Sequence, residues 1–159
     1  MNPFITCVHT HPNDQRTLVS TRWQSHPDLA PLFPNNVPES YALKRMREGW
    51  TAGAHRHRAK NEVFECTIGA ILVNLRWVDA EGVSRHASVR LSQELDTLLV
   101  IPAGVWHEVI TELSGSRLDV HSSTLFQDAP HTDEVRALPE GYDAHNSVEF
   151  TVIQAATNH

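Results

Sequence analysis

From residue 41 onward, apolar and polar residues alternate with a period of two, and no helical period recurs. This alternation is typical of half-buried strands, because successive side chains of a strand point to opposite faces of the sheet. Eight short segments that alternate in this way, or that are apolar between turn residues, predict strands. They are YALKRMR, GAHRHR, EVFECTI, AILVNLRWV, SRHASVRL, TLLVIP, HEVITEL and RLDVHSSTLF.

Turn residues separate these segments. Asp79 and Gly82 border one predicted hairpin turn and Gly115 marks another, because aspartate and glycine tolerate the backbone angles of tight turns. Many short strands at a spacing of about ten residues predict an antiparallel sandwich or barrel, in a single domain of 159 residues. For the tail after residue 126, the sequence is compatible with either a short helix or a final strand, VEFTVI.

Charge and composition exclude several classes of partner. The net charge of −6 gives no long-range attraction to nucleic acid or to an anionic membrane surface, and no apolar run reaches the roughly 18 residues that cross a bilayer. The N-terminal segment lacks the basic and apolar regions of a secretory signal, so we expect a cytoplasmic protein. The two cysteines, Cys7 and Cys66, have no metal-binding spacing and are expected to be thiols.

The stretch GWTAGAHRHRAKNEVFECTIG carries the candidate chemistry. In a strand, His55 and His57 point to the same face, about 6.6 Å apart, so their imidazoles can converge on one ion. A turn after them returns Glu62 on a neighbouring strand, and the turn in IPAGVWHEV makes His107 a candidate for a fourth ligand.

Together these residues resemble the two sequence motifs of the cupin superfamily. The first motif, G(X)5HXH(X)3–4E(X)6G, is matched throughout by Gly49, His55, His57, Glu62 and Gly69. The second, G(X)5PXG(X)2H(X)3N, is matched by Pro102, Gly104 and His107, with Asp96 in place of the first glycine and Thr111 in place of the asparagine.

This resemblance covers residues 41–126 and implies an all-β fold, a small antiparallel β-barrel or jelly roll. It also implies one divalent transition metal (Zn, Fe, Mn or Ni) bound by His55, His57, Glu62 and His107. Ligand chemistry agrees, because three imidazoles and a carboxylate suit such a metal better than Mg or Ca.

The resemblance divides the chain into an N-terminal arm (1–40), the barrel (41–126) and a C-terminal extension (127–159) that packs on the barrel. Exposed strand edges are often covered by a second subunit, and the arm is long enough to reach across. We therefore expect a homodimer.

Finer likeness indicates the class of substrate. HRHRAKNEVF is similar to the HxHxxKNExF stretch in the zinc-holding cupin domain of capsular-polysaccharide enzymes that epimerise a UDP-keto-sugar. The segment from Asp14 through HRHR, and SRLDVHSSTLF, resemble the sugar 3,4-ketoisomerases that act on dTDP-4-keto-6-deoxy sugars, which carry an arginine where this chain has Ala52. The resemblance implies an isomerase or epimerase that acts next to the carbonyl of a nucleotide-linked keto sugar.

Such a reaction needs a Lewis acid for the enolate and a base that moves the proton. His121 is the candidate base if its strand turns it inward; otherwise it lies on the outer face. Tyr41, Arg45 and Arg47 share one strand face and are candidates for contacts to a sugar hydroxyl and a diphosphate, the alternative being an exposed basic face.

Two other functions are open. Three histidines and a glutamate with open coordination positions also suit a mononuclear non-haem iron oxygenase, and Phe64 and Cys66 would give that site an apolar wall. A non-catalytic cupin that binds a metal or a small ligand is the third possibility.

Overall fold

The computed structural model describes residues 1–7, 9–10, 17–18, 28–35, 39–95, 97–125, 133–138, 147–150 and 152–153. In chain order the strands are β1 (Phe4–Cys7), β2 (His9–Thr10), β3 (Thr17–Leu18), β4 (Glu39–Met46), β5 (Thr51–His57), β6 (Glu62–Ile68), β7 (Ala70–Val78), β8 (Ser84–Ser92), β9 (Thr97–Ile101), β10 (Trp106–Thr111), β11 (Ser116–Ser122), β12 (Glu134–Val135) and β13 (Val152–Ile153). These ranges contain no helix, and so none that could cross a membrane.

The strands form two large sheets and one small one. The six-stranded sheet has the order β13-β1-β9-β6-β11-β4, the five-stranded sheet has the order β12-β5-β10-β7-β8, and β2 pairs with β3. All pairings are antiparallel except the one between β1 and β13. The all-β prediction is therefore confirmed, although among the described residues hydrogen bonds do not close the two large sheets into a barrel.

The core lies between the two large sheets. It packs inward-facing residues of the six-stranded sheet, such as Phe64 and Leu118, against Val73, Leu75 and Val109 of the five-stranded sheet. All five side chains are at most 4% exposed, so alternate positions of both sheets are removed from water. A second cluster covers the outer face of the six-stranded sheet, where the segment 28–35 packs on Val63 and Val100.

The predicted segments and turns correspond closely to the structure. Each of the eight segments forms a strand, and Asp79 Oδ1 accepts hydrogen bonds from the backbone N–H groups of Glu81 and Val83 in the predicted hairpin turn. Gly82 and Gly115 both adopt positive φ. In the tail, the described part of VEFTVI includes the strand β13 rather than a helix.

Residues from outside the predicted barrel contribute to both sheets. From the predicted arm, β1 pairs with β9 in the six-stranded sheet. From the predicted extension, β12 pairs with β5, β13 pairs with β1, and Val148 and Phe150 pack against the core. The division at residues 40 and 126 stays a prediction.

Candidate active site

An extra residue in β5 turns both motif histidines into the space between the sheets. Across the β5–β10 pair, Gly53 lies opposite Glu108 and His55 lies opposite His107, so Ala54 has no counterpart and forms a β-bulge. Gly53 and Ala54 both have positive φ, of 88° and 58°. A non-glycine residue in this region is strained by about 1 kcal/mol or more, and such strain recurs at functional sites.

The bulge changes which residues face the core. Ala52 packs against the core cluster, so strict alternation would send Ala54 and Arg56 inward after it. With the extra residue, His55 and His57 face inward instead. His57 is 6% exposed and His107 is 2% exposed, so the bulge gives a buried cluster of imidazoles.

The three histidines of the two motifs lie together as predicted. The ring centroids are 4.8 Å apart for His55 and His57, 4.7 Å for His55 and His107, and 5.6 Å for His57 and His107. One ring nitrogen from each lies within 4.8 Å of the others, which is the only such group of potential ligands among the described residues. Their role as metal ligands stays a prediction.

Glu62 lies at the centre of the polar contacts. Its side chain is buried, with Oε2 3.5 Å from His57 Nε2 and 3.3 Å from His107 Nε2, and Oε1 3.0 Å from Lys60 Nζ. Burial by itself raises the pKa of Glu62, but His107, His57 and Lys60 together hold it below its usual value. Glu62 is therefore a carboxylate at neutral pH.

Two of the imidazoles, those of His55 and His57, have lowered pKa values and are neutral at the same pH. Burial, together with the neighbouring His107 and His57, lowers the pKa of His55 to about 4. Burial also lowers the pKa of His57, although Glu62 opposes the shift. Neutral imidazoles are the form that accepts a proton or binds a metal.

The partners of Nδ1 determine which nitrogen faces the site. His107 Nδ1 lies 3.1 Å from the Val105 carbonyl oxygen, which can only accept, so in the neutral ring the proton is on Nδ1 and the lone pair is on Nε2. His57 Nδ1 lies 3.2 Å from Asp133 Oδ2, which favours the same tautomer. Two imidazole lone pairs and the Glu62 carboxylate thus face one point, an arrangement that a cation or an added proton would stabilise.

Asn61 connects the turns on either side of the cluster. Its side-chain oxygen accepts a hydrogen bond from the Ala103 N–H at 2.8 Å, and its side-chain amide donates to the Leu32 carbonyl at 3.0 Å. The Gly104 N–H donates to the His57 carbonyl at 2.7 Å. These bonds hold the PxG turn of the second motif against the end of β5, and so position His107.

Asp96, the first departure from that motif, lies outside the described residues, and Thr111, the second, is buried at the end of β10.

Of the three predicted substrate-binding residues, only Tyr41 lies at the cluster. Tyr41 is 38% exposed, and its hydroxyl lies 3.5 Å from Glu62 Oε1. Partial burial of the hydroxyl, followed by the negative charge of Glu62, raises the pKa of Tyr41, so the hydroxyl keeps its proton.

The prediction that Tyr41, Arg45 and Arg47 share one face is wrong. On β11, Leu118 and Ser116 are two residues apart, whereas their partners on β4, Leu43 and Met46, are three apart. This bulge, in which Arg45 has a positive φ of 56°, turns Met46 into the core and leaves both arginines exposed. Their predicted diphosphate contacts therefore have no support from the geometry.

The inward orientation proposed for His121 is also wrong. Leu118 and Val120 of β11 face the core, so alternation turns His121 to the outer face of the six-stranded sheet. There its Nδ1 lies 2.7 Å from Ser40 Oγ and its Nε2 lies 3.8 Å from Glu65 Oε2. The sheet separates His121 from the histidine cluster, so it is not a base for that site.

Four contributors to the site were not singled out from the sequence. They are the bulge at Gly53 and Ala54, Lys60, Asp133 and Glu134. Asp133 Oδ2 contacts His57 as described, and Glu134 Oε1 lies 3.6 Å from His55 Nδ1. Lys60 was visible in the KNE stretch, but neither of the two acidic residues has a spacing signal, because they lie more than 70 positions after the histidines that they contact.

Comparison with known proteins gives a consistent picture of the fold. The structure is similar to a variant of the 3,4-ketoisomerase QdtA from Thermoanaerobacterium thermosaccharolyticum, solved with TDP-4-keto-6-deoxyglucose (19% identity, 86% of this chain and 88% of that chain, TM-score 0.67). It is also similar to the WlaRB TDP-quinovose 3,4-ketoisomerase from Campylobacter jejuni (17% identity, 86% and 93%, TM-score 0.68). The rmlC epimerase from Mycobacterium tuberculosis is a third similar structure (12% identity, 83% and 66%, TM-score 0.65).

At these identities the structural likeness establishes a shared cupin-like fold. No curated protein sequence matches the chain. A family model, described as FdtA, WxcM-like, C-terminal, matches residues 5–138. Because this match spans most of the chain and includes every residue of the histidine cluster, the protein belongs to the FdtA (WxcM-like, C-terminal) family, which is cupin-like.

Proposed function

We propose that this protein is an isomerase or epimerase that moves a proton next to the carbonyl group of a nucleotide-linked keto sugar. The observation that carries the proposal is the juxtaposition of three imidazoles, a carboxylate and a protonated tyrosine hydroxyl at one point between the sheets. Similar structures that are named 3,4-ketoisomerases and epimerases support the same class of reaction.

The chain's own residues can perform the proton transfer. His55 is the most accessible of the three imidazoles, with 17% of its side chain exposed. In the metal-free site it accepts the proton from the carbon next to the carbonyl, a role that its one lone pair could not fill while it binds a metal. Tyr41 donates a hydrogen bond to the carbonyl oxygen, where negative charge develops as the enolate forms. Delivery of the proton to the former carbonyl carbon, with the proton of the neighbouring hydroxyl passing to the former carbonyl oxygen, gives the keto isomer. Return of the proton to the opposite face of the original carbon gives an epimer.

We further propose that the cluster binds one divalent transition metal (Zn, Fe, Mn or Ni) through His55, His57 and His107, with Glu62 as the fourth ligand. The fit rests on the two imidazole lone pairs and the carboxylate oxygen that face one point. It also rests on His57 Nε2 and Glu62 Oε2, two buried atoms that have no hydrogen-bond partner among the described residues. When bound, the ion would polarise the substrate carbonyl as a Lewis acid. Lys60 Nζ lies 3.0 Å from Glu62 Oε1, and its positive charge would weaken the binding of the metal ion.

Hydrogen exchange tests the reaction class directly. The protein would be incubated with TDP-4-keto-6-deoxyglucose in D2O, and NMR would follow deuterium incorporation next to the carbonyl. We expect exchange with the native protein and a loss of about 10²- to 10⁴-fold in His55→Asn. We expect no loss in the control variant His86→Asn, which changes a half-buried histidine on β8, outside the cluster. Absence of exchange with this sugar and with the corresponding UDP-keto-sugar, in folded protein, would contradict the proposal.

Elemental analysis tests the metal separately. Protein purified without a histidine tag would be compared with the double variant His55→Ala/His107→Ala. About one equivalent of metal in the native protein, lost from the variant, would support the metal site. If a chelator removes the metal and the protein still exchanges hydrogen, the acid–base residues alone account for the reaction.

One observation favours a second candidate, a mononuclear iron oxygenase. The ring of Phe64 stands perpendicular to that of His107 with centroids 5.6 Å apart, and Cys66 follows Phe64 on the core side of the same strand. This gives three imidazoles and Glu62 an apolar wall suited to oxygen chemistry. One equivalent of iron and substrate-dependent oxygen uptake, without deuterium exchange, would favour this candidate.

We also propose that the protein is a homodimer. Among the described strands, β8 spans nine residues and lies at an edge of the five-stranded sheet. The bridge from His86 to Ser147, with the hydrogen bond from the Val148 N–H to the His86 carbonyl, covers one point of this edge. A long edge strand presents unpaired backbone groups, which a second subunit commonly covers. Sedimentation velocity at micromolar concentration would give a single species of twice the chain mass, whereas a monomer would contradict this proposal.

A further inference from the structure

We propose that Asp133, which lies outside both sequence motifs, is a positioning residue that holds His57 in one orientation and one tautomer. The catalytic part of this inference rests on the proposed function, whereas the tautomer itself can be measured without a substrate.

Asp133 is anchored from both ends. Its Oδ1 accepts a hydrogen bond from the Ala59 N–H at 2.7 Å, and its backbone carbonyl accepts one from the Arg58 N–H at 2.9 Å. Asp133 is 7% exposed, so the carboxylate has little freedom to turn toward water. Its second oxygen, Oδ2, is buried without a hydrogen-bond partner among the described residues and lies 3.2 Å from His57 Nδ1, so the ring N–H is the donor within its reach.

This contact determines what His57 presents to the site. Both ring nitrogens face a carboxylate oxygen, which accepts but cannot donate: Nδ1 lies 3.2 Å from Asp133 and Nε2 lies 3.5 Å from Glu62. The shorter contact to Asp133 favours the neutral ring that carries its proton on Nδ1. The lone pair of His57 is then on Nε2, which faces Glu62 Oε2 at 3.5 Å. In the opposite tautomer Nε2–H would donate to Glu62, and the ring could neither accept a proton nor bind a metal at that nitrogen.

The neighbouring residue, Glu134, shows that the two histidines are held differently. Its Oε1 lies 3.6 Å from His55 Nδ1 but only 2.6 Å from the guanidinium of Arg136, and its side chain is 26% exposed. His55 is therefore held weakly, which suits a group that gains and loses a proton. His57 is held firmly, which suits a group that orients its neighbours.

The substitution Asp133→Asn separates tautomer from packing. Asparagine has the same shape, and its side-chain oxygen can keep the bond from the Ala59 N–H. The amide NH2 then faces His57 Nδ1 and can only donate to it, which moves the ring proton to Nε2. Asp79→Asn is the matched control, because Asp79 also accepts backbone N–H bonds in a turn but lies in the β7–β8 hairpin, away from the site.

Nitrogen-15 NMR of the histidine rings is the primary test, with the His57 signals assigned by their absence in His57→Gln. We expect a protonated Nδ1 in the native protein and in Asp79→Asn, and a protonated Nε2 in Asp133→Asn. A protonated Nε2 in the native protein would overturn the proposal, even if every variant at position 133 failed to fold. In the exchange assay we expect kcat to fall by about 10²- to 10⁴-fold in Asp133→Asn, with KM changed by less than about threefold.

The results separate the two proposals. If the tautomer changes as expected but native protein exchanges no hydrogen with keto sugars, the positioning role stands and the proposed reaction fails. If the native protein is active and Asp133→Asn keeps both its Nδ1 proton and its kcat, the positioning role is wrong and the reaction stands.

Discussion

His55 lies directly opposite His107 on the neighbouring strand, with the two ring centroids 4.7 Å apart, only because Ala54 is an extra residue in β5. The bulge is held by Gly53, whose φ of 88° is open to glycine and strained for other residues. A Cβ atom built on Gly53 would also lie 3.1 Å from the His107 carbonyl oxygen. The backbone at Gly53 therefore links the geometry of both motifs.

The substitution Gly53→Ala should lower both stability and activity. We expect the free energy of unfolding to fall by about 2 to 4 kcal/mol, because the strained φ and the contact with the His107 backbone add together. Gly82→Ala is the matched control, since Gly82 also has a positive φ, of 78°, but an added Cβ there meets nothing within 4 Å. It should lose only about 1 kcal/mol. Equal losses in urea denaturation would show that the contact with His107 is unimportant.

Stability of the metal-free protein should fall as the pH drops below 6.5. The pKa of His55 is about 4 in the folded protein and 6.5 ordinarily, so between these values the unfolded chain binds more protons than the folded chain. The contribution of neutral His55 to the free energy of unfolding is fully present above pH 6.5, and about 2 kcal/mol of this contribution is lost by pH 5. Urea denaturation in the presence of a chelator at pH 7.5 and pH 5 measures the difference, which should shrink in His55→Gln.

Loss of the Tyr41 hydroxyl should slow the reaction without unfolding the protein. Tyr41→Phe keeps the ring and removes the group that lies 3.5 Å from Glu62. We expect kcat to fall by about 10- to 100-fold, because the developing charge on the substrate oxygen loses a donor. His121→Gln is the control, since His121 lies on the outer face of the sheet, and its kcat should stay within about twofold of the native value. A larger loss in His121→Gln than in Tyr41→Phe would contradict the assignment of faces.

Lys60 should stabilise the protein and weaken the metal site at the same time. Lys60 and Glu62 form an ion pair with side chains 11% and 2% exposed, so Lys60→Met leaves a buried carboxylate without its cation. We expect a loss of about 2 to 4 kcal/mol in the absence of metal, and a larger increase in melting temperature on addition of Zn²⁺ than the native protein shows. Arg85→Met removes the more exposed ion pair with Asp79 and should lower stability much less than Lys60→Met does. An unchanged response to Zn²⁺ would argue against a metal next to Glu62.

Some features of the candidate site followed from local rules. The spacing of His55 and His57 predicted that both imidazoles share a face, and the turn residues before His107 made it a candidate to join them. Strand boundaries were equally local, since period-two alternation and turn residues act over a few positions. These predictions needed no knowledge of which strands are neighbours.

Other features depended on neighbouring strands. Strict alternation on β4 predicted that Arg45 shares the face of Tyr41, but the bulge between Leu43 and Met46 reverses the faces from that point on. The orientation of His121 was open from the sequence because nothing showed which alternate residues of β11 pack on the core. Asp133 reaches His57 only because β12 pairs with β5 across a long stretch of chain.

The sequence by itself determined the strand content and the turns, because these depend on residue type and short spacing. Its resemblance to the two cupin motifs, rather than short spacing, indicated that His107 joins His55, His57 and Glu62. Tertiary structure alone decided which faces Arg45 and His121 occupy, the β5 bulge that turns the motif histidines inward, and the acidic partners of those histidines. The physical reason is that a one-residue bulge inverts every later side chain of a strand, and its presence depends on pairing between segments that are distant in the chain.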